Sequence, residues 1–126
     1  MKLLLALFFA LVFTQTARAD DFATRAAAGR KAAATPLGDE FGNSILPLLQ
    51  QISSQCDPPG TKLPAAELGP LNIVGNITPT GTLINTEAQP QTPLAACFAA
   101  TLVKHRFDPP PWPGDYPLFI HLTVRN

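Results

Sequence analysis

The sequence predicts a small α+β domain: a three-stranded antiparallel sheet, helices packed on one face, and one disulfide. Three observations carry that prediction. A strand–turn–strand pattern runs from Leu71 to Thr86, a capped amphipathic helix follows from Thr92, and an alternating apolar strand, Tyr116 to Arg125, closes the chain. With a further helix ahead of them, one sheet with helices on one side buries every apolar stripe.

The N-terminus comes first in chain order. Met1 and Lys2 are followed by the uninterrupted apolar run Leu3–Phe13, and Ala17-Arg18-Ala19 precedes Asp20. That is the layout of a secretory signal peptide over residues 1–19, cleaved after Ala19. The rival reading is an uncleaved anchor, but eleven apolar residues fall short of the ~20 that cross a bilayer. The expected location is periplasmic or secreted, with no stable membrane insertion after cleavage. Without the leader the chain keeps seven basic residues against nine acidic ones, a net charge of −2. Such a chain has no electrostatic footprint for nucleic acid or an anionic membrane.

Residues 20–37 read as an alanine-rich peripheral segment, because over Asp20–Thr35 Phe22 is the one sizeable apolar side chain and Gly29 interrupts it. The domain proper is expected over residues 38–126. Phe41, Ile45, Leu48, Leu49 and Ile52 recur at helical spacing. Pro47 lies within that pattern, so this helix is expected to begin near Ser44 or to kink at the proline. Asp57-Pro58-Pro59-Gly60 ends it. Leu71–Thr78 alternates as a half-buried strand, Pro79-Thr80-Gly81 supplies the turn, and Thr82–Thr86 returns. Thr92 caps and Pro93 opens the next helix, whose apolar face is Leu94, Cys97, Phe98, Thr101 and Leu102, with an end near Arg106. Asp108–Pro117 holds five prolines in ten positions and is expected to be a stiff connection.

Cys56 and Cys97 are the only cysteines. An even pair in an exported chain reads as a structural disulfide, and the alternative of two redox thiols lacks a Cys-x-x-Cys spacing. No constellation for catalysis is present. The serines, at 44, 53 and 54, sit in no Gly-x-Ser-x-Gly elbow, and no Gly-rich phosphate loop occurs. His105 and His121, the two histidines, lack metal-ligand spacing. The chain is read as neither an enzyme nor a metal or cofactor carrier. Binding residues are sought instead in the proline-stiffened segment and the last strand: Phe107, Trp112, Tyr116, Phe119 and His121. A lid over the core is the other reading of Phe107 and Trp112.

The span Leu71–Val124 resembles the C-terminal domain of TonB and its relatives. "ITPTGTL" (Ile77–Leu83) is similar to that family's hairpin turn, with Thr80 in place of the usual acid. "LVKHRFDPPP" (Leu102–Pro111) is similar to its helix end, with His105 where tryptophan is common and Phe107 at the aromatic position. "YPLFIHLTV" is similar to its closing strand. The resemblance implies a TonB C-terminal-like fold and a periplasmic binding role in which a sheet edge pairs with a strand of an envelope protein. It also implies a packing role for Phe107. Peptidoglycan is a weaker candidate ligand. An inhibitor or immunity-type protein is the alternative of a different class, and an anchored energy transducer with a retained leader is the third. The long proline-rich linker of a transducer is missing.

Overall fold

The computed structural model describes residues 21–126; the leader and the processing site after Ala19 fall outside the described residues. In order, the elements are helix α1 (residues 21–33), helix α2 (Pro36–Cys56), strand β1 (Gly69–Ile77), strand β2 (Leu83–Gln89), helix α3 (Pro93–Lys104) and strand β3 (Tyr116–Val124). The strands form one antiparallel sheet in the order β2-β1-β3. The chain is thus a small α+β domain with a three-stranded sheet and one disulfide.

Directly opposed residues of antiparallel strands share a face of the sheet. Ile73 opposes Ile120, and Ile77 opposes Tyr116. These join Phe41, Ile45 and Ile52 of α2 and Phe98 and Leu102 of α3 in the main core. Val74 opposes Phe119 and points the other way. There it meets Phe22 and Ala26 of α1 in a second cluster. The helices therefore cover both faces, and the expectation of one covered face is corrected.

Residues 20–37 are likewise no peripheral segment: α1 docks on the sheet through buried Phe22 and Ala26, and buried Ala32 joins the main core. Gly29, read from sequence as an interruption, is what lets α1 approach. A Cβ there would lie 2.4 Å from Phe119 Cβ. Glycine to alanine inside a helix ordinarily gains about 1 kcal/mol. At Gly29 an overpacking cost of about 3 kcal/mol outweighs that gain, so Gly29→Ala is expected to lose about 2 kcal/mol net. Gly42 of α2 has nothing within 4 Å of its missing Cβ, so Gly42→Ala is expected to gain up to about 1 kcal/mol. Urea unfolding of the two variants side by side checks the contrast; stabilisation by both would place α1 off the sheet.

Helix α2 starts at Pro36, well before Ser44, because Thr35-Pro36 repeats the Thr-Pro signal of α3. The Gly38 N–H donates to Thr35 Oγ1 at 3.1 Å, as the Ala95 N–H does to Thr92 Oγ1. The helix runs on through Pro47. Both Pro47 and Asn43, whose carbonyl loses its helical donor, are exposed, so water can satisfy the freed carbonyl.

The disulfide joins Cys56, at the end of α2, to Cys97 in α3, with Cα atoms 5.8 Å apart. Cys97 does not face the core as its helical position suggested. It is exposed, on the flank of α3 turned to α2, and the buried side of α3 is Leu94, Ala95, Phe98 and Leu102. The α3 N-terminus is further held by Glu67, whose Oε1 accepts from the Leu94 N–H at 2.8 Å.

Candidate functional site at the open edge of the sheet

The two outer strands end differently. At the start of β2, the tip of the β1–β2 hairpin is stitched to the segment after α3. The Phe107 N–H donates to the Gly81 carbonyl at 2.9 Å, and Thr82 bridges Arg106 in antiparallel pairing. Midway along β2 the register with β1 shifts at a bulge, and Asn85 there takes φ +54°. The Arg25 guanidinium of α1 donates to the Asn85 carbonyl and, at 3.2 Å, to Asn76 Oδ1, and pairs with Glu87 at 3.6 Å. Bulge, clamp and bridge are the devices that close a sheet edge to further pairing.

Strand β3 is different. It pairs with β1 over nine consecutive residues without a bulge and has no strand on its other side. Its prolines fix which backbone groups face outward. Pro117 opposes Asn76, and Pro70 of β1 opposes Thr123. Prolines have no N–H to give, and positions 117 and 123 share one parity, so these are the pairs that exchange no ladder bonds. On that parity, His121 and Thr123 turn N–H and C=O away from the sheet. Phe119 does so as well, but α1 crosses there, with Gly29 against its backbone.

The edge runs beside a hollow of about 240 Å³ between α1 and α2. On the α2 side it is lined by Gly42, Ile45, Leu46 and Leu49, facing Leu118 and Ile120. Leu46 is 49 % exposed. On the α1 side Arg30 stacks on the Phe119 ring, 5.1 Å from its centroid. His121 Nδ1 lies within hydrogen-bond distance of Asn72 Oδ1, at 2.6 Å, and the imidazole stays exposed. A strand laid along this edge would meet backbone donors and acceptors in its plane, apolar wall on one face and mostly polar groups on the other.

The five residues singled out from sequence separate accordingly. His121 belongs to the open edge, and Phe119 lies where α1 crosses it. Phe107 and Tyr116 are core residues, 4 % and 3 % exposed, and burial pushes the Tyr116 hydroxyl above its ordinary pKa. Trp112 is half-buried, edge-on to Tyr116 at 5.3 Å, and Tyr116 in turn is edge-on to Phe41 at 4.9 Å. The segment from Phe107 to Tyr116 is the lid of the core, pinned by buried Pro110, whose carbonyl accepts from the Trp112 N–H at 2.8 Å. Sequence reasoning passed over Leu46 and Gly42. Leu46 had a signal, as a leucine of α2 standing off the apolar stripe. Gly42 gave none.

No group of three or more histidine, cysteine, aspartate or glutamate side chains placed to hold a metal ion occurs among the described residues. None of the helices described is long and apolar enough to cross a membrane. Comparison of the chain with protein-family models, with curated proteins and with solved structures returned no match.

Proposed function

We propose that this chain is an exported, non-catalytic binding domain that takes an extended strand of an envelope protein on the outer edge of β3. The open end of the β3 edge carries the reading: past the α1 crossing at Phe119 it offers the unpaired backbone groups of His121 and Thr123 beside an apolar hollow, while β2 is closed by its bulge, by Arg25 and by Arg106. Main-chain pairing supplies affinity in such a complex, and the side chains that drop into the flanking wall supply selectivity. The secretory leader read at residues 1–19 supports a periplasmic setting. The resemblance of Leu71–Val124 to the TonB C-terminal domain supports both the fold type and the binding role.

The test is a proline. His121 turns its N–H outward, as Pro117 occupies the same parity without harm to the strand, so His121→Pro is expected to fold normally and lose strand addition. The measurement is capture of envelope proteins by the immobilised wild-type and variant chains, after matching their unfolding midpoints. A partner retained by the wild type and lost by His121→Pro is the expected result. A partner held equally by both would remove the edge from the account. Capture of a secreted hydrolase through another surface would move the chain to the inhibitor class.

A further inference from the structure

On the side of the molecule away from α1, helices α2 and α3 lie antiparallel, and between them runs a shallow groove that the β3 edge does not use. Two adjoining hollows form it. One, of about 210 Å³, is walled by Leu48, Gln51 and Gln55 on α2 and by Thr101 and Lys104 on α3. The next, of about 310 Å³, lies between Ser44 and Leu48 of α2 and the stretch from His105 to Asp108. Leu48 and His105 line both. Leu48 is only partly buried and forms an apolar floor at the junction, resting on the main core.

The charge around this groove is one-sided. From Phe41 to Cys56 α2 carries no charged residue, and α3 carries none before Lys104. Lys104, His105 and Arg106 then follow in succession, all exposed, at the end where the hollows meet. Among the described residues the one ion pair is Arg25–Glu87, on the far side of the sheet, so neither Lys104 nor Arg106 has a partner there. Asp108 is the single acid lining the groove. Lys104 suits the C-terminal end of α3. Arg106 lies beyond the helix, where its backbone bridges Thr82, and its charge answers to no helix end. From Ser44 to Gln55 the α2 wall is about 17 Å long at the helical rise per residue, the length of a short peptide segment rather than of a small molecule.

We propose that the α2–α3 groove is a second docking surface, which takes an acidic peptide segment of a partner protein. An apolar side chain of the segment sits over Leu48, and its carboxylates face Lys104 and Arg106. Cations on a rim steer and orient a partner, and the apolar contact at the centre holds it. This surface is independent of the β3 edge.

The probe is a fluorescent helical peptide with leucines four apart and glutamates between them, alongside versions with glutamine or lysine at the glutamate positions. Anisotropy titration against the full chain at low and high salt gives affinities, and amide shifts of the labelled chain locate the site. The glutamate peptide is expected to shift amides of residues 44–55 and 101–108. Its binding is expected to weaken at least about tenfold in the Lys104→Glu/Arg106→Glu double variant, and also in high salt. Both positions are exposed, so the variant is expected to fold, with an unfolding midpoint lowered only slightly by a glutamate at the C-terminal end of α3. His121→Pro is expected to leave this binding unchanged. The proposal is overturned if the lysine peptide binds as well as the glutamate one, or if the shifts map elsewhere. An unaltered affinity in the double variant, or no binding of the glutamate peptide, overturns it too. Loss in His121→Pro alone would assign the peptide to the β3 edge, leaving that reading standing and this one refuted.

Discussion

Replacing both Cys56 and Cys97 with serine is expected to lower the free energy of unfolding by about 4 kcal/mol. The bridge spans 41 residues of sequence, and closing a loop of that length removes about 13 cal/mol/K from the unfolded chain, which is about 4 kcal/mol at room temperature. Little packing is lost with it, since Cys97 is exposed and Cys56 half-buried, so the cross-link itself dominates the effect. A domain of this size holds roughly 5–15 kcal/mol in all, and the loss leaves it marginal. In urea the midpoint is expected to fall by about 3 M. The unreduced wild type is expected to show no thiol open to alkylation. A double variant within about 1 kcal/mol of the wild type would mean that α2 and α3 hold their places without the bridge.

Gly81→Ala is expected to lose about 3–4 kcal/mol, nearly as much as the disulfide, from a single methyl group. Gly81 has φ +90°, which costs an alanine about 1–2 kcal/mol. The new Cβ would also lie 2.0 Å from the Phe107 carbonyl oxygen. That oxygen belongs to backbone, so relief requires the hairpin tip and the segment after α3 to part. The Phe107–Gly81 hydrogen bond and the Thr82–Arg106 bridge then break together. Phe107, buried in the core beside this joint, is expected to loosen, with a visible loss of near-ultraviolet circular dichroism. Gly114 supplies the comparison: it has φ +83° but nothing within 4 Å of a new Cβ, so Gly114→Ala is expected to cost only about 1–2 kcal/mol. Equal losses at both positions, read from urea unfolding, would show that the joint between hairpin and helix end contributes nothing.

That joint also shows what could be read ahead of the structure. Pro79-Thr80-Gly81 announced a turn, and the Thr92-Pro93 cap announced α3, because turn and cap chemistry is local. Nothing local says that a glycine in the turn must make room for a backbone carbonyl from beyond the next helix. The same limit explains α1. Alanines and one glycine looked like a weak helix when judged for apolar bulk, whereas small side chains are what a close helix–sheet approach requires. Val74 held the clue, as an aliphatic residue on the face of β1 otherwise given to Pro70, Asn72 and Asn76; it is fully buried, against Phe22 and Ala26 of α1. The pairing of Cys56 with Cys97 needed only counting.

The candidate site was half legible. Phe119 and His121 stood out as side chains on the second face of the last strand, and they do flank its edge. The direction of the backbone groups follows from Pro117 and Pro70 only once the register between β1 and β3 is known. Trp112 and Tyr116 drew notice as aromatics in a stiff loop. They pack inward because the lid, held by Pro110, closes over Phe41.

Hydrogen exchange at single amides of the full chain reads out whether the β3 edge is open. Exchange is expected to alternate along the strand: slow at Ile120 and Leu122, whose amides bond to β1, and fast at His121 and Thr123, whose amides face water. Uniformly slow exchange from Ile120 to Thr123 in the free chain would contradict it, because the edge would then already be covered.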